Sequence, residues 1–213
     1  MYGKFLSKFC FTVCMRILAF TDFHASIRAL KKVRDKVLKF KPDLALCCGD
    51  LTVFEQNIVA VMAFLASLPV KILVIHGNHE EEKIVATLAA RYSNIVFLHK
   101  KTFVYDDVLF VGYGGLGFVK RDPIFDKFAQ SIDKKLKSAK RVVLMTHQPP
   151  FGTKLDKIYN SYVGNESFTK FIKKHKNTIL ALSGHIHETF GRKDMLGNTA
   201  VLNPGPEGVL IEL

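Results

Sequence analysis

The 213-residue sequence is informative first for what it does not contain. No run of about 20 consecutive apolar residues is present, so no membrane-spanning helix and no membrane partner are expected. Lys4 and Lys8 precede an uncharged run from Phe9 to Met15, but no small-residue cleavage site follows, and a cut further on would enter the first strand; a secretion signal is therefore rejected. The four cysteines, Cys10, Cys14, Cys47 and Cys48, make neither a disulfide framework nor a zinc-finger spacing. Cys47 and Cys48 fall inside an apolar strand and read as small core residues of a protein in the reducing cytoplasm. There is no internal repeat, linker or low-complexity tract. Acidic residues are scarce: 19 stand against 31 Lys and Arg, a net charge of +12. That excess permits attraction to phosphate-bearing partners without specifying one.

What is present, 48% apolar and 23% charged residues, suffices to bury one core. The regular pattern begins at Arg16. Residues 1–14 read as an N-terminal extension, either ahead of a functional start at Met15 or poorly ordered or packed on the surface, and residues 15–213 as one domain. Short Val, Ile and Leu runs alternate with segments of helical period, the pattern of an α/β protein with mostly parallel strands. Strands are expected at Arg16 to Thr21, Leu44 to Cys48, Val70 to Ile75, Arg141 to Thr146 and Thr178 to Ser183. Ser26 is placed to cap a helix reaching Phe40, with Ile27, Leu30, Val33 and Val37 as its buried stripe. Further helices fit Phe54 to Ser67, Glu80 to Tyr92, Pro123 to Ser138 and Asn165 to Lys174. Ile95 to Leu98, Thr102 to Tyr105 and Val108 to Gly112 are too close together for crossovers and are expected to pair antiparallel. Thr189 to Lys193, Thr199 to Leu202 and Val209 to Glu212 look similar. The expected fold is a four-layer αββα sandwich, two mixed sheets packed face to face with helices outside.

The residues that follow the five buried strands carry the chemistry. Asp22 and His24 follow the first, Gly49 and Asp50 the second, and Gly77, Asn78, His79 and Glu80 the third. His147 follows the fourth; Gly184, His185 and His187 follow the fifth. Successive parallel strands would set all of them along the carboxyl edge of the sheet, where α/β proteins build their sites. Two carboxylates, one amide and four or five imidazoles suit borderline divalent ions such as Mn, Fe, Zn, Co or Ni, and are too many for one tetrahedral zinc. Two ions fit better, since one carboxylate can bridge a pair about 3.5 to 4 Å apart. The alternation of an extended backbone would turn Asp22 and His24 to one side. Singly, each residue has a plainer use: Asp22 as a helix cap, Asn78 in a left-handed turn, His147 in a loop. Their joint placement favours the metal reading.

The ordered set Asp22-Phe23-His24, Gly49-Asp50, Gly77-Asn78-His79-Glu80, Thr146-His147 and Gly184-His185-Ile186-His187 resembles the calcineurin-like metallophosphoesterases. The resemblance implies that Asp22, His24 and His187 bind one divalent ion and Asn78, His147 and His185 the other, with Asp50 bridging. It makes His79 a catalytic group beside the departing oxygen and Glu80 an influence on its orientation. It further implies manganese as the foremost metal, a small phosphate-ester substrate, and attack of a metal-bound hydroxide on phosphorus with inversion.

His76, His99 and His175 lie outside the pattern and are assigned no metal. Gly112 to Gly117 lacks the lysine and helix of a P-loop and reads either as a wall bordering the substrate or as a plain turn. Gln148 to Asp156 is the expected place for substrate-specific contacts, and it resembles the corresponding segment of small single-domain, phosphodiesterase-like members of the family. Asn203-Pro204-Gly205-Pro206 resembles the turn after the family's last histidine pair; only a brief strand follows, so no C-terminal cap is expected. The basic residues at 28–41, 134–141 and 170–176 read as solvated helix faces, which disfavours nucleic acid as the partner. Phosphodiester hydrolysis is the first reading. A phosphomonoesterase, a nuclease, and a non-catalytic scaffold that binds another protein are the alternatives.

Overall fold

A computed structural model describes residues 15–213; the expected N-terminal extension, with Cys10 and Cys14, lies outside the described residues. In chain order the first half holds β1 (Arg16–Phe20), α1 (Ile27–Phe40), β2 (Leu44–Cys47), α2 (Ile58–Ala66), β3 (Lys71–Val74), α3 (Glu82–Ala89) and β4 (Ile95–Phe97). The middle holds β5 (Lys101–Tyr105), β6 (Val108–Tyr113), α4 (Pro123–Ser131), α5 (Asp133–Ser138), β7 (Arg141–Thr146) and a small hairpin, β8 (Lys157–Ile158) with β9 (Ser161–Tyr162). The chain finishes with α6 (Glu166–Lys174), β10 (Thr178–Leu182), β11 (Lys193–Leu196), β12 (Thr199–Leu202) and β13 (Val209–Glu212). Among the described residues no helix is long and apolar enough to cross a membrane.

Two large mixed sheets form the middle layers. The first has the order β13-β1-β2-β3-β4 and the second β11-β12-β10-β7-β6-β5. Strand alternation divides the apolar residues between three cores. Ile17, Ala19, Leu44, Leu46, Cys48, Leu73 and Ile75 face Phe110, Val143, Met145, Leu180 and Leu182 across the two sheets. On the outer side of the first sheet, Leu18, Phe20, Ala45, Cys47, Ile72 and Val74 pack under α1, α2 and α3. On the outer side of the second, Val111, Val142, Leu144 and Ala181 pack under Phe125, Leu136, Phe168 and Phe171 from α4, α5 and α6. Burial on both faces is why the central strands read as unbroken apolar runs. Truncating Phe110, fully buried between the sheets, to alanine would cost about 3–5 kcal/mol. Cys47 and Cys48 are unpaired and buried, as expected of small core residues.

Several elements differ from the sequence reading. β4 joins the first sheet parallel to β3, because α3 is a crossover that brings the chain back in the same direction. Of the three short strands, β5 and β6 make the expected antiparallel pair, and β6 then runs parallel to β7. β13 returns to the first sheet, antiparallel to β1, while β12 extends the second. The expected strand at Thr189 starts late, since His187–Thr189 is a 3-10 turn. α2 begins at Ile58 because Phe54, Glu55 and Asn57 have φ of 45°, 63° and 62°, incompatible with a right-handed helix. α3 begins after Glu80, whose side chain is committed elsewhere. The helix expected over 123–138 breaks at Ile132 (φ −103°, ψ 8°), which brings Leu136 onto the same core as Phe125. Ser26 caps α1 as expected, but Ile27 is exposed and Ala29 takes its place in the buried stripe.

Candidate metal centre

The five strand tips come from both sheets rather than one: β1, β2 and β3 from the first, β7 and β10 from the second. Their loops meet because polar bonds cross between the sheets. The His185 N–H donates to both oxygens of Asp22 at 3.0 and 3.1 Å, and His147 Nδ1 lies 2.9 Å from the Cys48 carbonyl oxygen. Within the first sheet, the loop after β1 runs alongside the loop after β2, with Asp22 N–H on the Gly49 carbonyl (3.0 Å) and His24 N–H on that of Asp50 (3.2 Å).

Asp22 and His24 do not reach the cluster by strand alternation. Their φ values are 51° and 44°, and Asp50 and His185 also sit in the left-handed region at 50° and 69°. Such conformations cost of order 1–3 kcal/mol each for residues other than glycine, and persist only where surrounding bonds enforce them. Gly77 and Gly184 matter through closeness. A β-carbon on Gly77 would collide with the Asp50 carboxylate, and one on Gly184 with the Asp22 carboxylate and Thr21 Oγ1.

Around the buried carboxylates of Asp22 and Asp50 the imidazoles are ordered by backbone carbonyls. His24 Nδ1 lies 3.0 Å from the Thr52 carbonyl oxygen, which can only accept, so Nδ1 carries the proton and the Nε2 lone pair faces the cluster. There it meets His187 Nε2 at 3.1 Å and Asp50 Oδ2 at 3.8 Å. His187 Nε2 is also 3.5 Å from Asp22 Oδ1, whose bond raises the His187 pKa. On the other side of Asp50, His147 Nε2 is 3.4 Å from Oδ1 and 3.0 Å from Asn78 Oδ1. Burial works against a charge on His147, but the Asp50 carboxylate outweighs it and raises the pKa. The His185 ring lies 5.1 Å from that of His147; burial pushes its pKa down to about 4, and its Nε2 is buried without a partner among the described residues.

Donor atoms converge within 4.8 Å in three sets: Asp22, His24 and His187; His24, Asp50 and His79; and Asp22, Asp50 and His147. Facing imidazole nitrogens, two buried carboxylates and an orphaned His185 nitrogen make a set of nitrogen and oxygen donors that fits borderline divalent cations. His79 stands at the border. Its N–H donates to Asp50 Oδ1 at 3.2 Å, its Nε2 is 3.9 Å from Asp50 Oδ2, and its ring contacts those of His24 (5.2 Å) and Phe54 (4.6 Å).

Glu80 follows His79 in sequence and is buried. Its carboxylate accepts from Thr52 N–H (2.8 Å), Thr52 Oγ1 (3.1 Å) and Gly77 N–H (3.0 Å), so it staples the loop after β2 to the loop after β3. Thr21, Thr52 and the Cys48 carbonyl carry no sequence signal for their parts in this frame. Nor do three phenylalanines that lie against imidazoles: Phe54 on His79, Phe118 on His185 (4.6 Å) and Phe190 on His187 (4.9 Å).

His76 and His99 pack ring to ring at 4.6 Å beneath the turn that follows β6. Gly114 N–H donates to His99 Nδ1 (2.8 Å) and Gly115 N–H to the His76 carbonyl (2.9 Å), so the turn that leaves β6 after Tyr113 is pinned, while Gly112 and Tyr113 are the last residues of the strand. The segment after His147 is organised by buried Asp156, which accepts from the N–H groups of Gly152 (3.0 Å), Thr153 (2.7 Å) and Gly164 (2.9 Å). A groove of about 430 Å³ lined by Val104, Asp107, Lys135 and Lys140 lies at the amino end of β6, away from these donors.

A family model described as calcineurin-like phosphoesterase matches residues 15–189. An uncharacterized protein of Methanocaldococcus jannaschii is 30% identical in an alignment of 209 positions that covers 92% of this chain and 91% of that one. A crystal structure from Thermus thermophilus shares the fold with a TM-score of 0.73 at 18% identity, covering 90% of this chain and 89% of the other. A dimetal phosphatase from Danio rerio matches with a TM-score of 0.62 at 14% identity over 89% of this chain and 86% of its own.

Proposed function

The chain belongs to the calcineurin-like phosphoesterase family, and from that premise we propose that residues 15–213 act as one domain that hydrolyses small phosphodiesters with two divalent cations, manganese foremost. The observation that carries the reading is the division of the Asp50 carboxylate: Oδ2 faces His24 at 3.8 Å while Oδ1 faces His147 at 3.4 Å. One carboxylate turned to two donor sets is what a bridging ligand requires. In this assignment Asp22, His24 and His187 would hold one ion and Asn78, His147 and His185 the other, with Asp50 between them. When bound, such a pair supplies positive charge to phosphoryl oxygens and acidifies water.

The protein's own groups do the rest. The Thr52 and Cys48 carbonyls keep the His24 and His147 Nε2 atoms aimed inward. Asp50 is held in place by the His79 N–H and by the bare backbone of Gly77. His79, beside the donors rather than within the two assigned sets, holds a proton for the ester oxygen that departs. The buried, unpaired Cys47 and Cys48 suit a reducing compartment such as the cytoplasm. A diester is favoured over a monoester by the likeness of the Gln148 to Asp156 segment to small phosphodiesterase members of the family.

The test is direct. After reconstitution with manganese, bis(p-nitrophenyl) phosphate is expected to be turned over faster than p-nitrophenyl phosphate. A strong monoester bias overturns the diester reading, and no turnover of either by protein that holds two ions favours a binding role.

A further inference from the structure

Two large aromatic side chains stand in solvent beside the donor cluster, one at each end of it. Phe54 is 72% exposed and Phe118 64% exposed. Phe54 packs edge-on against His79, which neighbours His24 and Asp50 Oδ2; Phe118 packs against His185, which neighbours His147 on the Oδ1 side. The rings therefore flank the place where a phosphoryl group would sit between Asp50's two donor sets.

Neither ring is exposed because its loop is loose. Phe54 adopts φ 45°, an outlier for a bulky side chain, and Glu55 follows at 63°. The turn is held by the Gln56 N–H on the Val53 carbonyl (3.1 Å) and by Glu55 Oε1 accepting from the Glu81 N–H (2.8 Å). Phe118 is pinned before and after. Gly114 and Gly115 bond to His99 and the His76 carbonyl, while Asn165 Nδ2 donates to the Val119 carbonyl (3.0 Å) and Glu166 N–H to that of Lys120 (2.8 Å). A left-handed, bonded backbone that lifts an apolar ring into water gains nothing for the fold, whereas a ring already fixed in place loses little freedom when a flat group stacks on it.

We infer that Phe54 and Phe118 are specificity-determining walls, one for each organic arm of a phosphodiester, and that the substrates are diesters with planar aromatic arms, of aryl or nucleobase type. The inference rests on the diester reading above. Because Phe54 lies against His79, its wall receives the leaving arm, and Phe118 receives the arm that stays on phosphorus. Hydrolysis then breaks the bond from phosphorus to the leaving oxygen and forms one to the oxygen of water, with a proton passing to the departing oxygen.

Two substrates separate the walls: bis(p-nitrophenyl) phosphate, with two aromatic arms, and methyl p-nitrophenyl phosphate, which has the same leaving group but a small retained arm. Stacking of a flat group on an aromatic side chain is worth about 1–3 kcal/mol, so removing it corresponds to about tenfold or more in KM. Phe118→Leu is expected to raise KM about tenfold for the bis-aryl substrate and less than twofold for the methyl ester. Phe54→Leu is expected to raise it by a similar factor for both. Metal content, measured on the same samples, is expected to stay at the wild-type value and shows that the centre is intact. If the wild type cleaves both diesters and the variants keep its KM values, or if Phe118→Leu affects both substrates equally, the walls are refuted while the diester reading stands. Cleavage of p-nitrophenyl phosphate but of neither diester refutes the diester reading and this inference with it.

Discussion

The Asp50 carboxylate occupies space that a β-carbon on Gly77 would fill, so the residue between two donor sets is seated by the absence of a side chain on the neighbouring strand tip. Gly77→Ala must displace either that carboxylate or the backbone of the loop after β3. The expected result is a loss of about 1–3 kcal/mol in stability and a fall of at least about tenfold in metal affinity. Urea unfolding and metal titration check the two. Unchanged metal affinity would show that Asp50 has more room than its surroundings indicate.

Asp50 and His79 are in contact but are assigned different work, and substitution separates them. Asp50→Asn is expected to lose both ions, because one side chain faces both donor sets. His79→Ala is expected to keep two ions per chain and to lower kcat by about 10²–10⁴, the usual contribution of a positioned proton donor. Elemental analysis with turnover on one diester decides; equal metal loss in both variants contradicts the assignment.

Glu80 accepts three hydrogen bonds from two loops in a buried setting. Glu80→Gln replaces an acceptor oxygen with a donor, leaving at least one of the Thr52 and Gly77 donors without a partner. A cost of about 1–3 kcal/mol is expected, together with slower turnover because Gly77 seats Asp50. A variant as stable as the wild type would mean that the two loops are held by other contacts.

His99 supplies a pH dependence of folding. Burial, reinforced by His76, Lys100 and Lys101, pushes its pKa down to about 3, and Nδ1 is already engaged in accepting the Gly114 N–H. The unfolded chain takes up a proton at this side chain near pH 6.5, whereas the folded chain refuses it until about pH 3. Over that window the unfolded state binds more protons, so the contribution is full above about pH 6.5 and is lost as the pH falls. Urea midpoints at pH 7.5 and 4.5 are expected to drop less in His99→Gln than in the wild type; an equal drop would place the acid sensitivity elsewhere.

The residues expected to carry the chemistry stand out because each follows a strand that is apolar on both faces, and such strands announce themselves as short Val, Ile and Leu runs. Asp22, His24, Asp50, Asn78, His79, His147, His185 and His187, the eight residues expected to hold metal or handle a proton, come close together where the strand tips of the two sheets meet. What stayed hidden depends on partners distant in sequence. Nothing local in Ile95–Phe97 distinguishes a parallel edge strand of the first sheet from a hairpin strand of the second; the crossover of α3 decides it. The left-handed turn at Phe54 to Asn57 contains no glycine, so a helical pattern ran through it unopposed. The groups that Glu80 accepts from, the Thr52 N–H and hydroxyl and the Gly77 N–H, meet it because two loops come together, which no local pattern encodes.

The pairing of β13 with β1 has a practical outcome. Met15 and Leu213 exchange both of their backbone hydrogen bonds, at 3.2 and 2.9 Å, at the amino end of β1. The other end of that strand is about 17 Å away at the rise of an extended chain, and Asp22 comes two residues beyond it. A tether attached near Leu213 therefore anchors the molecule by its base and leaves the donor cluster facing open solution.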